Sequence, residues 1–285
     1  MSDKWQVASD TAATGGGARS RHPSPVTRHP PGFTLIELLV VITIIGIMVG
    51  LAVPALKSLG NADANISAAR QLLDDVGRAR QDAISHHTTV YMIFVPPGFW
   101  NYGTISPADQ AAAASLYDKQ YTGYTFVTLH TAGDQPGQNT PHYLIPWQTL
   151  PQNTFIATNK FFEPRTPAGY IIGGFTVLGF STTNSIPFPS ETSAINPQLW
   201  LPYIAFNSQG QPTIDGVNPS YTDEFIPVAH GPVGYVLDQN KVPVSPYQEP
   251  QPEEIPPGNS TDSSFNLVHI NGLTGRAVLE YQRVQ

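Results

Sequence analysis

The sequence predicts an α+β protein: one long N-terminal helix, apolar in its first half and amphipathic in its second, packed on a C-terminal antiparallel β-sheet domain. Three observations predict it. Residues 33–56 form a nearly unbroken apolar run holding one carboxylate, Glu37. Ile66, Ala69, Leu72, Leu73, Val76, Ala79, Ala83 and Ile84 then recur at three- and four-residue steps, the signature of one apolar helix face. From Thr88 onward the period changes to short apolar and β-branched runs broken by Pro, Gly and Asn.

Residues 1–32 carry Lys4, Arg19, Arg21 and Arg28 against Asp3 and Asp10, and are otherwise rich in Gly, Ala, Ser, Thr and Pro. Such a segment buries too little apolar surface to order itself, so residues 1–32 read as a cytoplasmic leader. A secretory signal has 7–15 apolar residues with a small-residue cleavage site after them. Here the run is longer and Gly32 lies before it. Residues 33–56 are long enough to span a bilayer, at about 20 residues per crossing. Glu37 at membrane depth costs about 2.5–3.5 kcal/mol on insertion scales and demands a partner. A cut between Gly32 and Phe33 supplies one, because the new α-ammonium lies about 6 Å along a helix from Glu37. Pro54 removes a backbone hydrogen bond and predicts a kink.

Residues 57–87 continue as the amphipathic helix, whose apolar face is expected to pack on the chain's own sheet. Strands are expected at 89–95, 124–130, 142–145, 154–157, 170–178, 201–206, 225–229, 234–238, 265–270 and 276–281, with one short helix over 107–121. Residues 131–141, 181–197 and 241–264 read as loops, the last a proline-rich surface excursion that cannot supply regular ladder hydrogen bonds. Residues 88–285 thus form one β-rich domain with Pro-rich loops near 181–197 and 241–264.

The chain of 285 residues carries a formal net charge of −7, and its leader holds four of the basic residues, so the remainder is more acidic still. That argues against broad nucleic-acid binding, which needs a basic patch. With no cysteine, neither a disulfide framework nor a thiolate metal site exists. His22 and His29 lie in the leader, His86 and His87 are adjacent, and His130, His142, His230 and His269 lack the i, i+4 spacing of a zinc helix. No nucleophile elbow or phosphate-cradling glycine loop occurs, so no catalytic residue, metal or cofactor is expected. Asp215, Asp223 and Glu224 form the one candidate calcium cluster, without the alternating oxygens of a calcium loop. Phe99, Trp100, Tyr117, Tyr121, Tyr124, Trp147, Phe161, Phe162 and Trp200 could face a partner or a glycan, and most are expected in the core.

The run Gly32-Phe33-Thr34-Leu35-Ile36-Glu37 with its apolar continuation to Pro54 resembles the prepilin N-terminus of type IV pilins and type II secretion pseudopilins. The resemblance implies cleavage between Gly32 and Phe33 by a prepilin peptidase, N-methylation at Phe33, and filament assembly through Phe33 and Glu37. Two features depart from the family pattern: the leader is long, and Pro30-Pro31 precede the glycine. A second resemblance is to the GspH/FimT-like family. It rests on Ala68–Leu73 and Ala79–Ile84 at the helix end, on Tyr203-Ile204-Ala205-Phe206-Asn207-Ser208-Gln209-Gly210, and on the closing hairpin 267–278. Together they imply a minor pseudopilin of a type II secretion system, its N-terminus cytoplasmic, its single span in inner-membrane lipid and its domain periplasmic, partnered by other pseudopilins. Three alternatives stand beside it. One is a minor pilin of a type IV pilus; another is a DNA-binding relative, for which Arg276 and Arg283 make a poor basic tail; the last is a membrane-tethered enzyme or glycan-binding domain.

Overall fold

The computed structural model describes residues 32, 34–101, 105–131, 133–135, 140–162, 165, 169–240, 242–245, 247–261 and 265–281, without the side chains of 51–63. Residues 1–31 of the leader and Phe33 lie outside them. The chain divides into two compact units, Met1–Ala52 and Val53–Gln285. Helix α1 (Leu35–His86) runs through the boundary and remains helical at Pro54.

In the first unit, Leu35–Gly50 is exposed throughout. Among the described residues no helix is long and apolar enough to cross a membrane; the predicted span over 33–56 includes Phe33 and the side chains of 51–56, which lie outside them. Helix α1 itself continues past Gly50 through residues 51–63, whose side chains lie outside the described residues. Within Leu35–Gly50 the Thr43 hydroxyl donates back to the carbonyls of Leu39 and Val40 at 3.0 and 2.8 Å.

The second unit holds short helices α2 (Gln110–Ala114) and α3 (Asn159–Phe162) and fourteen described strands. These are β1 (Val90–Phe94), β2 (Gly123–Thr128), β3 (His142–Tyr143), β4 (Gln148–Thr149), β5 (Thr154–Ile156), β6 (Tyr170–Ile172) and β7 (Phe175–Val177), then β8 (Tyr203–Phe206), β9 (Pro212–Thr213), β10 (Glu224–His230), β11 (Val233–Gly234), β12 (Gln251–Pro252), β13 (Asn266–Ile270) and β14 (Ala277–Tyr281). One antiparallel sheet has the order β3-β2-β1-β8-β9, with β4 also on β2; a second has the order β14-β13-β10-β5.

The second half of α1 joins both sheets. Ala68, Leu72, Val76, Ala79 and Ala83, spaced by one helical turn, are fully buried against Val90, Met92, Phe94, Tyr124, Phe126 and Phe206 of the first sheet and Ile156, Ile226, Val228, Val268 and Ile270 of the second. Each large side chain removed from water there contributes about 1.5–3 kcal/mol. Ile66, assigned by periodicity to the same face, instead turns outward and is 41% exposed.

Because strand side chains alternate, Tyr91, Ile93, Val95, Val127, Tyr203 and Ala205 point to the opposite face of the first sheet, where they form a second core. Ile186, Phe188 and Leu201 close it. The proline-rich segment 181–197 is therefore a cover and not only a loop. Likewise the predicted strand 170–178 is two strands, β6 and β7, folded back at Gly173 and Gly174, whose φ values are 55° and 90°. This hairpin lies over Phe225 and Leu267 of the second sheet. The predicted helix over 107–121 is broken into α2 and a 3₁₀ turn at Tyr117–Lys119, and 234–238 is reduced to Gly234 of β11 and an isolated bridge from Leu237 to Pro243. Segment 241–264, expected as an excursion, is tied down instead. Tyr117 Oη donates to the Gln248 carbonyl at 3.0 Å, Tyr247 meets the Trp100 ring edge-on at 5.6 Å, and Asn259 brackets the His230 backbone.

Candidate functional site

At the start of α1, Thr34 and Glu37 form a capping box. Thr34 N and Oγ1 donate to Glu37 Oε2 at 2.9 and 2.8 Å, and Glu37 N donates to Thr34 Oγ1 at 3.3 Å. Two of the orphan donors of a helix N-terminus are thus satisfied reciprocally. Gly32 is exposed just ahead of them. Leu35, Ile36, Ile47 and Met48 are more than 60% exposed within the apolar run, a continuous apolar surface of the kind that marks a membrane or protein contact. The site is therefore a bare, capped helix end that carries about 24 Å of exposed apolar surface along Leu35–Gly50, at about 1.5 Å per residue.

Residues 28–53 match a family model described as the prokaryotic N-terminal methylation motif. This is a prepilin-type motif, consistent with type IV pilin-like proteins, and it implies processing by a prepilin peptidase and assembly with other pilins. No curated protein and no solved structure matches the chain.

The predicted partner of Glu37, the Phe33 ammonium, lies outside the described residues; the partner in view is Thr34. Sequence reasoning missed Thr34, although Thr-x-x-Glu before an apolar run is itself a readable capping signal. It also missed Arg80. From the last turns of α1, Arg80 Nε donates to the carbonyls of Gly210 at 3.1 Å and Thr274 at 2.9 Å. The three segments that carry the second resemblance therefore meet at one guanidinium. Gly275, at φ 65°, lies where a Cβ would come within 2.0 Å of the Gly210 carbonyl oxygen, so this turn requires glycine.

The predicted calcium candidates are not brought together. Asp215 accepts from the amides of Val217 and Asn218 at 2.8 Å, and those hydrogen bonds, Val217 foremost, hold its carboxyl well below the usual range. Asp223 accepts from Gly272 N at 2.7 Å. Glu224 is buried between Lys160 Nζ and Arg165, whose Nη2 lies 2.7 Å away. Burial pushes the Lys160 ammonium down from its ordinary value, and the Glu224 carboxylate opposes that shift. Nothing in the sequence signals this ion cluster. Among the described residues no group of three His, Asp or Glu side chains is placed to hold a metal. His269 lies between Asp223 and Glu280 at 3.1 and 3.3 Å and stacks on Phe225, His230 Nδ1 lies 2.9 Å from the Ile255 carbonyl, and His142 faces Glu191 at 3.3 Å. Each has a structural partner of its own.

Proposed function

We propose that the chain is a minor pseudopilin of a type II secretion system. In this reading a prepilin peptidase removes residues 1–32 and methylates the Phe33 amine, residues 33–56 anchor the product in the inner membrane with a kink at Pro54, and the β domain stands in the periplasm. Assembly with other pseudopilins draws the apolar helix out of lipid and into a filament. The domain then serves as a structural subunit without catalysis, cofactor or nucleic acid.

The observation that carries the reading is the coincidence of Gly32-Phe33 and Glu37 with the matched motif and with an apolar helix surface that is exposed among the described residues. A bare apolar surface of this length has to meet lipid or other helices. Once Phe33 is an amine, its charge and that of Glu37 stabilise one another where water is scarce. Breaking such a pair costs about 3–5 kcal/mol, because one charge is left uncompensated. A minor pilin of a type IV pilus shares every one of these features, and the two readings differ only in which filament recruits the chain.

The test is intact mass and N-terminal sequencing of the protein made with a prepilin peptidase. The expected product begins at Phe33 and carries one added methyl group. An uncut chain, or one beginning beyond residue 50, overturns the reading. Co-purification with secretion pseudopilins rather than with pilus subunits then decides between the two filaments.

A further inference from the structure

Aromatic side chains from two segments, Phe161 and Phe162 of α3 and Trp200, meet at one cleft of about 190 Å³ on the second unit, walled also by Thr182, Gln198, Pro97 and Pro202. Trp200 is 60% exposed and Phe162 57%. Single exposed aromatics are ordinary. Two that share a small cleft, each held outward by buried neighbours, are not.

For Trp200 the cause is alternation. Leu199 and Leu201 on either side pack into the second core, so the ring between them faces solvent. For Phe162 the cause is the anchoring of α3. Lys160, wholly buried, donates to the Leu178 carbonyl at 2.7 Å, pairs with Glu224 and lies 4.8 Å from the centre of the Phe180 ring. Phe161 packs edge-on against Tyr121 and Phe180 at 5.2 and 5.1 Å. With residues 160 and 161 fixed inward, Phe162 is left on the surface beside Trp200. Rigid aromatic side chains give large contact area at small entropic cost.

We propose that this cleft binds a neutral sugar ring. The described lining is prolines, aromatic rings, one carboxamide and one hydroxyl, a set that matches an uncharged, hydroxyl-rich ligand. Aromatic faces carry negative quadrupole density that attracts the polarised C–H bonds on one face of a pyranose. The Gln198 carboxamide and Thr182 hydroxyl supply both donors and acceptors at the rim, and sugar hydroxyls also do both. A proline-rich peptide would match the aromatic faces but brings mainly acceptors, which leaves the Gln198 carbonyl unserved. The cleft is smaller than the 300–1,000 Å³ of drug-sized pockets, which fits one ring of a chain and not a whole oligosaccharide.

This inference is independent of which filament recruits the chain. The test titrates the full-length protein, held in a zwitterionic detergent free of sugar headgroups, with cellohexaose, maltohexaose and chitohexaose while tryptophan emission is followed. Saturable binding of at least one is expected. Trp200→Ala and Phe162→Ala should each weaken it at least about tenfold, Trp200→Phe should recover part of the loss, and Trp147→Phe should leave it unchanged. Should Trp200→Ala lose its circular dichroism, Gln198→Ala with intact dichroism provides the same reading. Binding of none of the three at millimolar concentration overturns the proposal. So does binding that survives Trp200→Ala, or capture of a proline-rich decapeptide in place of the sugars.

Discussion

The two described stretches of α1, Leu35–Gly50 and Ala64–His86, have the same backbone and opposite surroundings. In the first, every side chain is exposed and the only hydrogen-bonding side chains, Thr34, Glu37 and Thr43, bond within the helix itself. In the second, a stripe of small and branched residues is fully buried, and polar side chains reach across to other elements: Gln71 to Thr149 and Tyr124, Asp75 to Tyr124, Arg80 to Gly210 and Thr274. The lesson is one of partners. The second stretch has found its partners within its own chain, whereas the first presents its apolar side chains without a partner among the described residues.

The sharpest way to break this contrast is at Glu37. If the carboxylate serves as a counter-charge for the Phe33 amine, Glu37→Gln abolishes filament incorporation as completely as Glu37→Ala, with a loss of about 3–5 kcal/mol per contact. Were its only role the cap, Gln would suffice, since Gln fills that position of a capping box equally well. Cross-linking of each processed variant to partner subunits at equal abundance measures the difference. Both variants should leave the melting temperature of the β domain unchanged.

The converse change lies in the second unit. Glu224→Ala leaves Lys160 and Arg165 without their carboxylate in a buried site and should cost about 3–5 kcal/mol of unfolding free energy. Thermal or urea unfolding reads it. Membrane insertion and processing at Gly32 should persist as long as the domain is folded.

Alkali provides a third contrast. Burial, the largest cause in each case, holds the hydroxyls of Tyr91, Tyr124 and Tyr143 protonated well above the ordinary tyrosine value of 10.0. The folded pKa is raised, so the stabilisation is complete below pH 10 and is lost as pH rises beyond it, at about 1.4 kcal/mol per pH unit for each tyrosine. Unfolding followed by near-ultraviolet dichroism should therefore show a steep loss above pH 10 that truncating residues 1–50 does not alter.

The smallest effect is expected where α1 ends. His87 takes φ 51°, and the amides of His87 and Thr88 donate to the carbonyls of Ile84 and Ala83, the double closure of a Schellman motif. A residue with a Cβ pays about 1 kcal/mol for that conformation. His87→Gly should raise domain stability by about 0.5–1 kcal/mol in the same unfolding assay.

Much of this architecture is legible from the pattern alone. The switch from a 3.6-residue to a 2-residue period at Thr88 locates the end of α1 and the start of β1 to within a residue or two. The closing hairpin is announced by Gly275 between two alternating runs. Legibility fails where one physical cause has two outcomes. Proline-rich stretches cannot make ladders, but whether they hang free or lie over a sheet depends on distant strands such as β1 and β8, and 181–197 lies over one. At Glu37 one carboxylate has two competing partners, the Thr34 cap three residues away and the amine that cleavage would create at Phe33, and Thr-x-x-Glu signals the first as plainly as the isolated charge signals the second. Arg80, Lys160 and Glu224 are ordinary charged residues in sequence, and only the meeting of separate segments gives them their roles.

The second core ties chain length to strand chemistry. Tyr91, Ile93, Val127 and Tyr203 are apolar or aromatic because Ile186, Phe188 and Leu201 shield them. A homologue that lost the segment from 181 to 201 would present those positions to solvent and would have to change them to polar residues together. Insertion and strand must therefore evolve as one module: across aligned sequences, the loop's presence and the apolar character of alternate residues in β1, β2 and β8 should come and go together.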